Sequence, residues 1–206
     1  MNTAIITCFS ENMQAVADLT VPTHQRLAEA LGASQEARPV PKETCLWDKI
    51  AMVRQYLETH DQVLWLDADA AVTSVELQGR AWLTTPPPTP VVLVTSDING
   101  LNSGVFMATA GLQTQEYFCA VERYGKTLFG DRPNPEQQAM RHFSLEPRYA
   151  GLVQYLPQTE MNSYWPGAYD YPGAELAHWK PGHLILHLPG LYNERRIEIL
   201  QQVVRK

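Results

Sequence analysis

Short apolar runs of strand-like composition alternate with segments whose apolar residues recur at helical spacing, and this alternation restricts the fold more than any other feature of the chain. Ala4 to Phe9 is the first run, cut off by Ser10-Glu11-Asn12. Pro22 to Leu31 reads as a helix stopped by Gly32. After Thr44, the expected N-cap, Leu46, Ile50, Val53 and Leu57 form the stripe of a core-facing helix. Gln62 to Leu66 is a strand, Thr84 to Pro90 a proline-rich loop, and Val91 to Val94 and Ser103 to Thr109 are further strands. Helical patterns follow at Gln113 to Arg123 and Pro135 to Phe143, strand-like ones at Leu152 to Leu156 and Leu184 to His187, and a closing helix at Glu194 to Val204. Strands alternating with helices predict an α/β fold, a sandwich of helices around a mostly parallel sheet. No internal repeat is visible.

Composition narrows the class. At 206 residues with 45% hydrophobic content, the chain reads as one domain over 1–206 that buries roughly 70% of its unfolded surface without metal or disulfide staples. The formal net charge of −6 has the wrong sign for a protein whose main partner is a phosphate backbone. Arg195, Arg196, Arg205 and Lys206 keep a modified nucleic acid open as an acceptor. Cys8, Cys45 and Cys119 are an odd number at wide spacing, so neither a disulfide framework nor a zinc motif is suggested. With no basic leader and no run of roughly 18 apolar residues, the expected setting is cytoplasmic, without a membrane span.

The strongest chemical signal is Leu66-Asp67-Ala68-Asp69, directly after the apolar strand. Carboxylates two apart on an extended chain project to one side, where they repel or share a cation. Oxygen ligands at a strand end suit Mg²⁺ or Mn²⁺ held together with substrate phosphates, and strand ends are where open α/β sheets bind ligands. The bland alternative is one capping Asp and one solvated Asp. A phosphatase of the haloacid dehalogenase type would also place Asp-x-Asp here, with Thr95-Ser96 at a later strand end; Ala71 and the lack of a downstream acidic pair count against it.

Other residues group around this motif. His187 ends an apolar strand before Leu188-Pro189-Gly190, beside amides a phosphate could use, or serves only the turn. Asn102-Ser103-Gly104 opens a strand with a glycine that permits close backbone approach. Asp97 ends the preceding strand and either meets a sugar or caps a loop. Lys49, in Trp47-Asp48-Lys49, and Arg54 share a helix and either steady a departing diphosphate, the reading favoured for Lys49, or form an exposed salt-bridged face, the reading favoured for Arg54. Gln158 and Asn162 face an acceptor side or satisfy loop backbone. Of the 14 Trp and Tyr residues, eight fall between 149 and 192 among prolines and glycines. The segment Tyr164 to Tyr171 is therefore either an acceptor platform of stacking rings or irregular core.

The order of Trp47-Asp48-Lys49-Ile50, Asp67-Ala68-Asp69, Leu101-Asn102-Ser103-Gly104, Glu136-Gln137, Pro157-Gln158 with Met161-Asn162-Ser163-Tyr164, and Trp179-Lys180-Pro181-Gly182 through His187 to Gly190 resembles glycosyltransferase family 34. That family has the GT-A fold, an α/β/α Rossmann-like sandwich with a mixed, mostly parallel sheet, and the resemblance runs from about residue 3 to 192. It implies metal-dependent, retaining transfer of a hexose or pentose from a nucleotide-diphospho-sugar, UDP-sugar favoured, to a hydroxyl of a glycan or similar acceptor. Asp67, Asp69 and His187 would be the metal ligands. Asp67, Lys49, Asn102, Ser103, Asp97 and Gly190 would meet the donor. Gln137 would steady the reacting sugar, and Glu136, where relatives more often carry Asp, would bind sugar or acceptor hydroxyls; the bland alternative is that both only decorate the first turn of the helix after Pro135. The half up to about residue 110 would hold the donor and 111–206 would close the acceptor side. A module that binds nucleotide-sugars or glycans without turnover is the non-catalytic alternative.

Overall fold

The computed structural model describes residues 1–85 and 87–204. Pro86 of the proline-rich loop, and Arg205 and Lys206 of the basic C-terminal group, lie outside the described residues.

The central sheet contains β1 (Thr3–Phe9), β2 (Ser34–Pro39), β3 (Gln62–Leu66), β5 (Val92–Asp97), β6 (Gly100–Thr109) and β7 (Val153–Tyr155), in the order β2-β1-β3-β6-β5-β7. Only β6 runs against its neighbours; the β1 pairings with β2 and β3 and the β5 pairing with β7 are parallel. A smaller sheet lies beside it in the order β4 (Ala70–Val72), β9 (Ile185–His187), β8 (Ser163–Tyr164). The helices are α1 (Gln14–Leu31), α2 (Cys45–Tyr56), α3 (Ala81–Thr84), α4 (Leu112–Phe129), α5 (Pro135–Ser144), α6 (Gln158–Met161) and α7 (Asn193–Val203).

Strand alternation assigns the two faces. Ala4, Ile6, Val63, Trp65 and Phe106 join one apolar cluster with residues of α2, α4 and α5. Ile5, Leu64, Leu66, Val105 and Met107 join another with α1 and the small sheet. The sandwich, its mixed sheet and its element alternation are those read from the sequence.

Several local expectations need correction. The first helix begins at Gln14, eight residues before Pro22, because buried Val16, Ala17, Thr20, Thr23, His24, Leu27 and Ala28 keep one stripe through it. Pro22 stands on the exposed face, where the carbonyl it leaves unpaired can meet water. In α2 the buried stripe is Lys49, Ile50, Met52 and Val53, while Leu46 is exposed. Thr44 precedes α2 but donates its hydroxyl to Asp48 at 2.6 Å instead of accepting from a helix amide. Strand β2 went unread because it is a polar edge strand ending in proline, paired with β1 alone. Among the described residues, no helix is long and apolar enough to cross a membrane.

Candidate active site

Asp67 to Ala70 is a β-turn, closed by the Ala70 N–H donating to the Asp67 carbonyl at 2.9 Å, and not the extended segment expected. The turn is held from behind by α1. Thr20 donates its hydroxyl to the Ala68 carbonyl at 2.7 Å, His24 donates from Nε2 to the Ala70 carbonyl at 2.7 Å, and Thr23 accepts the Val72 N–H at 2.8 Å. All three are buried. Polar groups on the core stripe of α1 thus fix the backbone that carries the carboxylates. Burial lowers the His24 pKa to about 4, only partly offset by its bond to Ala70.

Pairing of β4 with β9 sets Ala70 opposite His187 and brings the imidazole to the turn. Asp67, Asp69 and His187 each offer one ligand atom, all within 4.8 Å of one another. His187 Nε2 lies 3.3 Å from Asp69 Oδ1, and Nδ1 lies 2.8 Å from Asn162 Oδ1. Asn162 donates its own amide to Thr95 at 2.8 Å, so its Oδ1 is an acceptor. His187 therefore donates from Nδ1, and in the neutral ring Nε2 presents its lone pair to the carboxylates. Gly104 makes room for this ring: a Cβ there would stand 2.1 Å from His187 Cε1. Two carboxylates and an imidazole nitrogen are a donor set compatible with a divalent metal ion.

Each carboxylate also has a protein cation. Arg196 of α7 places a guanidinium nitrogen 2.8 Å from Asp69 Oδ2 and donates to the Leu188 carbonyl at 3.0 Å. Burial pushes the Asp69 pKa up, but His187 in its protonated form and Arg196 outweigh it and bring it to about 2. Asp67 Oδ1 receives Lys49 Nζ at 2.9 Å and Trp65 Nε1 at 2.7 Å. Lys49, fully buried in α2, also meets Glu136 at 3.2 Å and the Ser103 carbonyl at 3.2 Å. Burial opposes its charge, yet the Asp67 and Glu136 carboxylates hold its pKa above the usual lysine range. Glu136 Oε2 is buried without a partner.

Two cavities adjoin this centre. One, of about 300 Å³, is lined by Cys8, Phe9, Met13, Cys45, Trp65 and the Asp67–Asp69 turn, so its wall is mainly apolar. The other, of about 400 Å³, is lined by Asp97, Asn102, Gln137, Tyr169, Tyr171 and Gly190. The chain Asp67, Lys49, Glu136 connects them through the neighbouring Gln137.

The expected residues are thus brought together, with several already engaged. Asn102, buried, donates to Asp97 at 2.8 Å and Tyr164 at 3.0 Å and accepts the Gly104 N–H at 2.9 Å. Ser103 donates its hydroxyl to Glu136 and its N–H to Gln137 Oε1, at 3.1 and 3.0 Å. Asp97 accepts from Tyr164 at 2.8 Å. Gly190 follows β9 with a φ of 72°, in the region that favours glycine. Arg54 pairs with Glu122 of α4. The aromatic segment divides: Trp165 stacks on Trp179 in an apolar cluster and Tyr164 is buried, while Tyr169 and Tyr171 line the second cavity. Asn162 is buried against His187, and Gln158 begins α6. Sequence reasoning missed the Thr20, Thr23 and His24 clamp, for which three polar residues at helical spacing on an apolar stripe were the signal. It also missed Arg196, visible only as one basic residue among several.

No family model matches the chain, and no curated protein matches its sequence. Its fold matches that of solved GT-A glycosyltransferases. A glycosyltransferase involved in glycosylation of the major capsid of PBCV-1 is similar over 98% of this chain and 100% of its own, at a TM-score of 0.76 and 16% identity. The galactosyltransferase LgtC, solved with donor and acceptor sugar analogues, is similar over 98% of this chain and 96% of its own, at 0.55 and 12%. For apo GlyE of Streptococcus pneumoniae TIGR4 the TM-score is 0.65 at 12% identity; this chain is covered fully and spans 61% of the GlyE length.

Proposed function

We propose that this chain is a metal-dependent, retaining glycosyltransferase that moves a hexose or pentose from a nucleotide-diphospho-sugar, UDP-sugar favoured, to an acceptor hydroxyl. The observation that carries this reading is the Asp67, Asp69, His187 triad beside two cavities in a fold shared with glycosyltransferases. The apolar cavity would take the nucleotide, and the cavity with Tyr169 and Tyr171 the donor sugar and the acceptor, a glycan or another hydroxyl-bearing molecule. This division follows the proposed donor and acceptor halves only loosely, since Asp97 and Asn102 belong to the second cavity.

Asp67, Asp69 and His187 would hold Mn²⁺, which, when bound, supplies positive charge to a leaving diphosphate. The chain's own groups do the rest. Lys49, buried beside Asp67, would add charge stabilisation. Gln137 would face the reacting sugar with a carboxamide, which cannot form a stable glycosyl ester. Retention would then depend on attack from the face the diphosphate leaves, with the diphosphate taking the acceptor proton. Glu136, buried and bound to Lys49 and Ser103, would hold Lys49 beside Asp67.

One observation favours a second, non-catalytic reading: Lys49 and Arg196 already neutralise the two aspartates. Incubating the protein with a panel of nucleotide-sugars and Mn²⁺, and following nucleotide release by mass spectrometry, separates the two. Release from at least one donor, lost on chelation, is the expected result. Binding of donors without release under any acceptor would establish the binding module instead.

A further inference from the structure

The cavity proposed for the nucleotide has two thiols in its wall that the proposed reaction does not use. Cys8 lies near the end of β1 and is buried; Cys45 opens α2 and is partly accessible. Their sulfurs are 3.8 Å apart, and the Cys8 thiol donates to the Cys45 carbonyl at 3.4 Å. Both line the cavity, which gives a small reagent access to Cys45. Cys119, the third free cysteine, sits on α4.

We propose that Cys8 and Cys45 are a redox-active pair that closes to a disulfide with a small disulfide oxidant such as oxidised glutathione, and that closure weakens nucleotide binding in the cavity. The second clause rests on the donor-site reading above; the first does not. Cys45 is the attacking thiol. It starts a 12-residue helix and is the more accessible of the two thiols, which makes it the sulfur that a disulfide reagent reaches. The contact between the two thiols lowers the Cys45 pKa, with burial and the carboxylates of Asp67 and Asp48 opposing that shift, and the same contact raises the pKa of Cys8.

The chemistry balances as two exchanges. The Cys45 thiolate attacks one sulfur of oxidised glutathione, forming a mixed disulfide and releasing one glutathione thiolate. Cys8 loses its proton and attacks the Cys45 sulfur, releasing the second. Two protein thiols are oxidised, one disulfide is reduced to two glutathione molecules, and the two protons leave with them. The sulfurs must approach from 3.8 Å to about 2 Å. Both line the cavity, so closing the bond changes its wall.

The test oxidises the intact protein with glutathione disulfide, blocks remaining thiols with iodoacetamide and maps tryptic peptides. A species joining peptides 1–26 and 43–49, about 2 Da lighter than their sum, with Cys119 alkylated, is the expected result. Alkylation of both Cys8 and Cys45, or a glutathione adduct that persists on Cys45, overturns the pair. Titration with UDP, GDP, ADP and CDP, each with Mn²⁺, then addresses the consequence. The oxidised protein should bind about tenfold more weakly, with recovery in dithiothreitol; equal affinity in both forms overturns the regulation. If the reduced protein binds no nucleoside diphosphate, the donor-site reading fails, while the peptide map still decides the thiol pair.

Discussion

Asp67 and Asp69 stand two residues apart in one turn, yet they belong to different parts of the molecule. Asp67 keeps 31% of its side chain exposed and is tied to the sandwich through Lys49 and Trp65. Asp69 keeps 8% and is tied to the small sheet through His187 and to the C-terminal helix through Arg196. A cation held by both would therefore fasten the small sheet and α7 to the main sheet. The difference also separates the cost of losing each residue. Without Asp67, Lys49 keeps Glu136; without Asp69, Arg196 keeps only neutral acceptors.

The largest effect tests that asymmetry. Asp69→Asn and Asp67→Asn should each lower transfer by about 10³-fold, as expected when charge that holds a metal is removed. Their stabilities should part. Asp69→Asn leaves the half-buried Arg196 with no carboxylate and should cost about 2 kcal/mol, whereas Asp67→Asn should cost less because Lys49 keeps Glu136. Urea denaturation without metal measures both. Equal losses would show that the two sites are equally dependent on their carboxylates, and undiminished transfer by Asp69→Asn would reject the proposed metal role.

Much of this comparison was legible before any coordinates. The apolar run Gln62 to Leu66 announced a buried strand, and Asp67 and Asp69 behind it announced a site, because alternation and strand-end position are local properties. The turn geometry was not legible, since Asp-Ala-Asp-Ala fits an extended chain equally well and the clamp from α1 decides the matter. Asn162 and Ser163-Tyr164 illustrate the same limit. A two-residue strand has no periodicity to read, and its place beside β9 comes from packing across the small sheet. Arg196 is one of four basic residues near the C-terminus, and only the docking of α7 selects it.

The clamp yields the second prediction. His24 is neutral in the fold at about pH 4 and above, while in the unfolded chain it takes a proton near pH 6.5. The unfolded state thus binds more protons between those values, and stability must fall as the pH drops from 6.5 toward 4, by about 3 kcal/mol in total. Asp69 acts in the next window: its depressed pKa, about 2 against an ordinary 3.8, removes further stability as pH falls below that ordinary value. Replacing His24 with Gln keeps a donor for the Ala70 carbonyl and removes the titration. The variant should show a flatter stability profile between pH 6.5 and 4, measured by chemical denaturation at each pH. An unchanged slope would mean that the ring is not held neutral behind the turn.

The smallest effect isolates the His187 side of the comparison. Gly104→Ala adds one methyl group whose position would overlap the imidazole, 2.1 Å from Cε1 and 2.7 Å from Nε2. The backbone of Gly104 accepts the Asp67 N–H at 2.8 Å and is bound to Asn102, so the ring is the part that must move. Displacing it breaks the Nδ1–H bond to Asn162 and turns Nε2 away from Asp69, while leaving Lys49 and Asp67 in place. Mn²⁺ affinity should fall about 10-fold to 100-fold, the range for losing a ligand's orienting contacts, and the Asp67 pairing with Lys49 should survive. Calorimetric titration with Mn²⁺ reads the first, and a crystal structure of the variant reads the second. Unaltered Mn²⁺ binding with a displaced ring would remove His187 from the proposed ligand set and leave the two aspartates as its only members.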